Sequence, residues 1–301
     1  MVSGNNLLHI LDTVHLTIGL PVLPREFCAN HSGVFCRCDV GTWNSGHHHN
    51  PGCRKKPFKS LRLNSLGPKR FYLWAWLLPP VLTLLTLGTS LVLRTGQFDA
   101  ALSMLSDALA KAPAGTQVPP VNQVLVQQMI FSVTLAPLIN TVFALGEELG
   151  WRGFLLPHLL PLGQWRAILV SGIIWGFWHA PTTLIFGYNF PQHPILGILA
   201  MMVGCTLLGT LLAWLYLSTQ SLWVTALAHG TVNAVAGLAL YFLKPGFDTM
   251  LAGSILGMSG WIPMALFIGW LVWSKRLPVI FHTPEEAVSV YTSSGPQPRE
   301  E

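Results

Sequence analysis

Glu147, Glu148 and Arg152, then His179, then His229 and Asn233 stand inside stretches that are otherwise apolar. A charge in hydrocarbon costs about 2.5 to 3.5 kcal/mol on insertion scales, so such residues usually pair and mark a working site. Glu148 and Arg152 are four apart and can pair on one helix face, while Glu147 points about 100° away and is free for other work. A carboxylate held in a partly dry site suits a general base acting on water. His179, in Trp175-Gly176-Phe177-Trp178-His179-Ala180-Pro181, can partner that base. His229 and Asn233, again four apart, project from one helix face toward a bundle interior and can hold an oxyanion. The chemistry these types allow is hydrolysis by an activated water.

The same residues admit other readings. Adjacent acids at a span end also make an interfacial salt bridge with a solvated spare carboxylate, and a lone membrane histidine is often a satisfied core residue. Glu147, His179 and His229 are also a plausible ligand set for a divalent metal such as zinc, although the H-E-x-x-H helix of a zincin is absent. No G-x-S-x-G elbow occurs, which sets a serine hydrolase aside. A non-proteolytic membrane protein that uses the polar cavity to bind a peptide or lipid head group is the main rival. A metal or proton carrier ranks last, because no inverted repeat is visible.

These residues need spans to hold them. Of 301 residues, 51% are hydrophobic and 10% charged, against about a quarter charged in soluble domains, so the chain reads as an integral membrane protein. The predicted fold is all-α, a polytopic bundle of about six spans: 71–93, 124–145, 166–187, 194–217, 222–243 and 252–273. A short amphipathic helix is predicted within 98–112, and a further amphipathic helical stretch follows Arg152. Residues 1–68, rich in Gly, Asn, His and Pro, read as a poorly ordered extension, 69–277 as the membrane domain and 278–301 as a disordered tail. Arg54, Lys55, Lys56, Lys59, Arg62, Lys69 and Arg70 precede the first span, which predicts cytoplasmic N- and C-termini. The net charge of +5 argues for lipid head groups before nucleic acid, so the expected partners are the bilayer and a membrane-associated protein or peptide.

Cys28, Cys36, Cys38 and Cys53 beside His31 and His47–His49 invite a zinc reading, but their spacing lacks paired C-x2-C knuckles. Gly172 and Gly176 read as intramolecular packing, and Trp residues near span ends as interface anchors.

In order along the chain, E-E-L-G-W-R-G-F-L-L-P from Glu147, a membrane His followed by Ala-Pro, and H-x-x-x-N from His229 resemble the three motifs of the CPBP family, intramembrane proteases related to the CAAX prenyl endopeptidase and also called the Abi or bacteriocin-immunity family. The likeness covers residues 124–240. It implies that Glu147 works with His179 to activate a water, that His229 and Asn233 stabilise the oxyanion, and that Glu148 and Arg152 support the site. One departure stands out: the second motif is usually F-x-x-x-H, and here Trp175 occupies the first position. The F-L-L-P wording is closest to prokaryotic members, which implies a prokaryotic cell membrane. Some members of the family are linked to bacteriocin immunity, so the resemblance carries no particular substrate.

Overall fold

The computed structural model describes residues 63–113 and 117–280, and the backbone of three short strands upstream. The chain divides into two compact units, Met1–Ser60 and Leu61–Glu301. In the first, β1 (Phe27–Ala29), β2 (Phe35–Arg37) and β3 (Arg54–Lys55) pair antiparallel in the order β1-β2-β3. Apart from those strands and residues 63–68, the predicted extension falls outside the described residues, as do the side chains of its cysteines and histidines and the tail beyond 280.

The second unit is helical, as predicted. Helix α1 (Arg70–Val92) is followed by the short α2 (Ser103–Ala110), which lies inside the predicted amphipathic stretch. The predicted second span is two helices, α3 (Val121–Val133) and α4 (Leu135–Gly150), bent by 48°. Pro137 explains the break. It has no N–H to offer the Val133 carbonyl, four residues back, and its ring crowds that carbonyl. The indole of Trp76 on α1 donates to the freed oxygen at 2.7 Å.

Beyond Gly150 the helix widens into a π-turn, Trp151–Leu155, then runs through α5 (Leu156–Leu159) and a 3-10 turn to Leu162. The stretch after Arg152 is helical, as expected. The third span is α6 (Gln164–Trp178) and α7 (Ala180–Phe186), interrupted at His179. Pro181 cannot donate to Phe177, and the His179 amide falls back to Gly176 at 3.2 Å. His179 therefore sits at a break, where a side chain can leave the helix surface.

Helix α8 (Pro194–Thr219) runs through the core, buried almost continuously from Leu208 to Leu217. Gly172 and Gly176 of α6 lie against it, and a Cβ on Gly172 would come within 2.6 Å of the Thr206 Cα. These glycines pack within the chain, as read from their spacing. Helix α9 (Leu222–Val235) is also heavily buried and starts at Ser221, whose hydroxyl accepts from Val224 N at 3.5 Å. Gly230 lets α9 touch α4, because a Cβ there would lie 2.6 Å from Thr141 N. The last helix, α10 (Met258–Trp273), starts six residues later than predicted. Gly253, at φ +72°, turns the chain before it, and the Met258 amide reaches back to Met250 O at 2.8 Å.

Of the six predicted spans, four are helices long and apolar enough to cross a bilayer, five if the bent pair counts as one. The 16-residue α10 is shorter, at about 1.5 Å per residue. Leu73, Val142, Phe143, Ile185, Phe186, Ile195 and Leu266 are exposed. Lipid is the solvent in which such an apolar exterior is stable.

Candidate active site

Helix α4 presents Asn140 and Glu147, seven apart and thus on nearly one face, to a cavity of about 620 Å³. His179 and Trp175 reach it from α6 and the break after it, Cys205 from α8, and His229 and Asn233 from α9. The cavity therefore gathers all four residues expected to carry the chemistry. Asn233 is exposed in accessibility because it faces this space. An apolar groove of about 720 Å³, lined by Leu77, Val81 and Leu266, holds no comparable polar set.

Glu148 turns the other way and is fully buried. Its Oε1 accepts from Arg152 Nη1 and from His229 Nδ1, both at 2.8 Å, while its Oε2 has no partner. The pairing with Arg152 is the predicted one. The bond to His229 was not anticipated, and it constrains that ring. A carboxylate ion-paired with arginine can only accept, so His229 Nδ1 carries a proton and Nε2 is a lone pair in the neutral ring. His229 donates through Nε2 only as an imidazolium. Arg152 is 4% exposed, with its Cζ 4.6 Å from the Trp175 ring centroid, a cation–π contact in a dry setting.

Glu147 is not free, as the sequence had suggested. Its Oε2 accepts from Trp175 Nε1 at 3.1 Å and from Trp151 Nε1 at 3.3 Å. His179 Nδ1 lies 2.9 Å from the Trp175 carbonyl, which can only accept, so this ring too keeps its proton on Nδ1 and leaves Nε2 as acceptor. The Cys205 thiol sits 4.0 Å from the same Nδ1.

Tyr188, Asn189, Thr249 and Ser254 also line the cavity, and polar contacts tie the segments that carry them. His193 Nε2 meets Asp248 Oδ2 at 2.6 Å, and Thr249 donates to Gln192 Oε1 at 2.8 Å.

Sequence reasoning missed Asn140, the two indole donors and Cys205. The seven-residue step from Asn140 to Glu147 is the signal that was available. Glu147, His179 and His229, the ligand set considered for a metal, line this one cavity, and among the described residues no three His, Cys, Asp or Glu side chains are gathered closely enough to form a metal group.

Residues 124–235 match the family described as Type II CAAX prenyl endopeptidase Rce1-like. No curated protein and no solved structure matches the chain. The matched segment starts within α3 and ends with α9, so it contains every cavity residue proposed for chemistry. Over these residues the chain is similar to the CAAX prenyl endopeptidase family that its three motifs also resemble.

Proposed function

We propose that this protein hydrolyses a peptide bond of a membrane-associated protein or peptide, with Glu147 as general base. The observation that carries the reading is the division of labour between adjacent acids. Glu148 is neutralised by Arg152 and buried, whereas Glu147 opens on a polar cavity with His179, His229 and Asn233. A water hydrogen-bonded to Glu147 and to the lone pair of His179 Nε2 would lose its proton to the carboxylate as its oxygen attacks the carbonyl carbon. The charge developing on the carbonyl oxygen would be met by the Asn233 amide, and by His229 Nε2–H when that ring is an imidazolium. As the C–N bond breaks, the proton held by Glu147 passes to the leaving nitrogen. No step here uses a metal.

We read the two termini as cytoplasmic, from the basic residues before α1 and from Lys275 and Arg276 after α10. On that reading the protein sits in a prokaryotic cell membrane, with residues 69–277 as the protease-like domain. The test is cleavage of membrane-tethered peptide reporters by the purified protein and by Glu147→Ala, with and without chelator. Chelator-resistant cleavage that the variant lacks supports the mechanism. Equal cleavage by the variant sinks it, chelator-sensitive cleavage moves it to a metalloprotease, and reporters held but never cut favour the binding protein.

A further inference from the structure

Trp175 touches four of the polar groups around the cavity. Its indole N–H donates to Glu147, its carbonyl accepts from His179 Nδ1, its face lies under the Arg152 guanidinium, and its ring meets that of His229 edge-on at 5.3 Å. It is 3% exposed, so packing on every side sets its orientation. Trp151 stacks obliquely near it and sends its own indole N–H to the same Glu147 oxygen. Two donors on Oε2 fix the plane of the carboxylate. Oε1 then has no protein donor among the described residues.

We propose that Trp175 is a positioning residue which, with Trp151, orients Glu147 so that Oε1 takes the proton of the attacking water. This rests on the reading of Glu147 as the base. Phenylalanine at position 175 would keep an aromatic wall against Arg152 and His229, but it has no ring N–H to donate. The loss should therefore fall on the chemical step, because misplacing a reacting group by an ångström costs on the order of 100-fold in rate.

The test uses the full chain in lipid nanodiscs with a membrane-tethered peptide reporter, comparing wild type with Trp175→Phe, Trp151→Phe and Glu147→Ala. Trp175→Phe should lose about 10- to 100-fold in kcat with KM unchanged, alongside the modest fall in melting temperature that a smaller buried ring brings. A purely structural role would lower the melting temperature while leaving kcat of the folded protein at the wild-type value. The Trp175 indole proton resonance, identified by its absence in Trp175→Phe, should shift in Glu147→Ala. Wild-type kcat in Trp175→Phe, or an indole resonance unmoved by Glu147→Ala, overturns the proposal. If Trp175→Phe fails to fold, Trp151→Phe addresses the same oxygen, and an unchanged kcat there also overturns it. Full cleavage by Glu147→Ala removes the base reading and this proposal together. An inactive Glu147→Ala beside a fully active Trp175→Phe removes the proposal alone.

Discussion

Two neighbouring glutamates in this chain meet opposite environments, and their variants should behave differently. Glu148 has no exposed surface and bonds two cationic or ionisable partners, so Glu148→Ala leaves Arg152 buried without its counter-charge. Breaking a buried pair from one side costs about 3–5 kcal/mol, and a fall in thermal unfolding temperature along with lost cleavage is the expected result. Glu147 faces the cavity and is held only by two indoles, so Glu147→Ala should abolish cleavage with the unfolding transition unchanged. The pairing of Glu148 with Arg152 was legible from a four-residue step. The bond from His229 to Glu148 was not, since 81 residues separate them and no periodicity links one helix to another.

At the level of elements, prolines decide where the helices break and glycines decide how closely they approach. Pro137 bends the second span, and Trp76 satisfies the carbonyl that this frees. Trp76→Phe removes the donor from a carbonyl that Pro137 leaves without a helical partner. Leaving such an acceptor unmet costs about 1–3 kcal/mol, to be read as a lowered melting temperature in detergent or bilayer. Gly230 permits the contact between α4 and α9 that brings Asn140 and Glu147 opposite His229 and Asn233. Because a methyl there would meet the α4 backbone, Gly230→Ala should cost about 1–3 kcal/mol and part the two helices, with cleavage falling further than stability. The prolines were visible in the sequence, but the continuous apolar pattern of residues 124–145 masked the bend. A hydropathy pattern reports what solvent a segment prefers, not whether its axis is straight.

Across the whole molecule, the long connection after α1 is bound to the end of a 3-10 turn, Leu238–Phe242, that follows α9. The Asp99 amide reaches Phe242 O, the Lys244 amide reaches Gln97 O, and Lys244 Nζ donates to Gln97 Oε1. Asp99 also caps α2, its carboxylate accepting from Ser103 N at 2.7 Å and from Ala101 N at 3.0 Å. Hydrogen bonds from Ser103, with smaller help from Ala101 and Lys244, hold this carboxyl below the usual carboxylate range. A depressed folded-state value means the stabilisation is present above the ordinary carboxylate pKa and is lost as pH falls through the lowered one. Thermal unfolding followed from pH 6 downward should therefore show Asp99→Asn losing less stability than wild type over the acid range. Equal pH slopes for the two proteins would contradict it.

The sequence by itself determined the membrane class, the helical fold, the residues offering chemistry and the family whose motifs they follow. Those properties are local: they depend on side-chain type, hydropathy and spacing within one span. Only the tertiary structure decided that Glu147 is held by Trp151 and Trp175, that Glu148 is shared between Arg152 and His229, and that Asn140 and Cys205 join the cavity. Each of those facts, the Trp151 and Arg152 bonds aside, requires one helix to meet another at a particular rotation. That rotation is set by close backbone contacts at glycines and by breaks at prolines, which depend on partners distant in the chain.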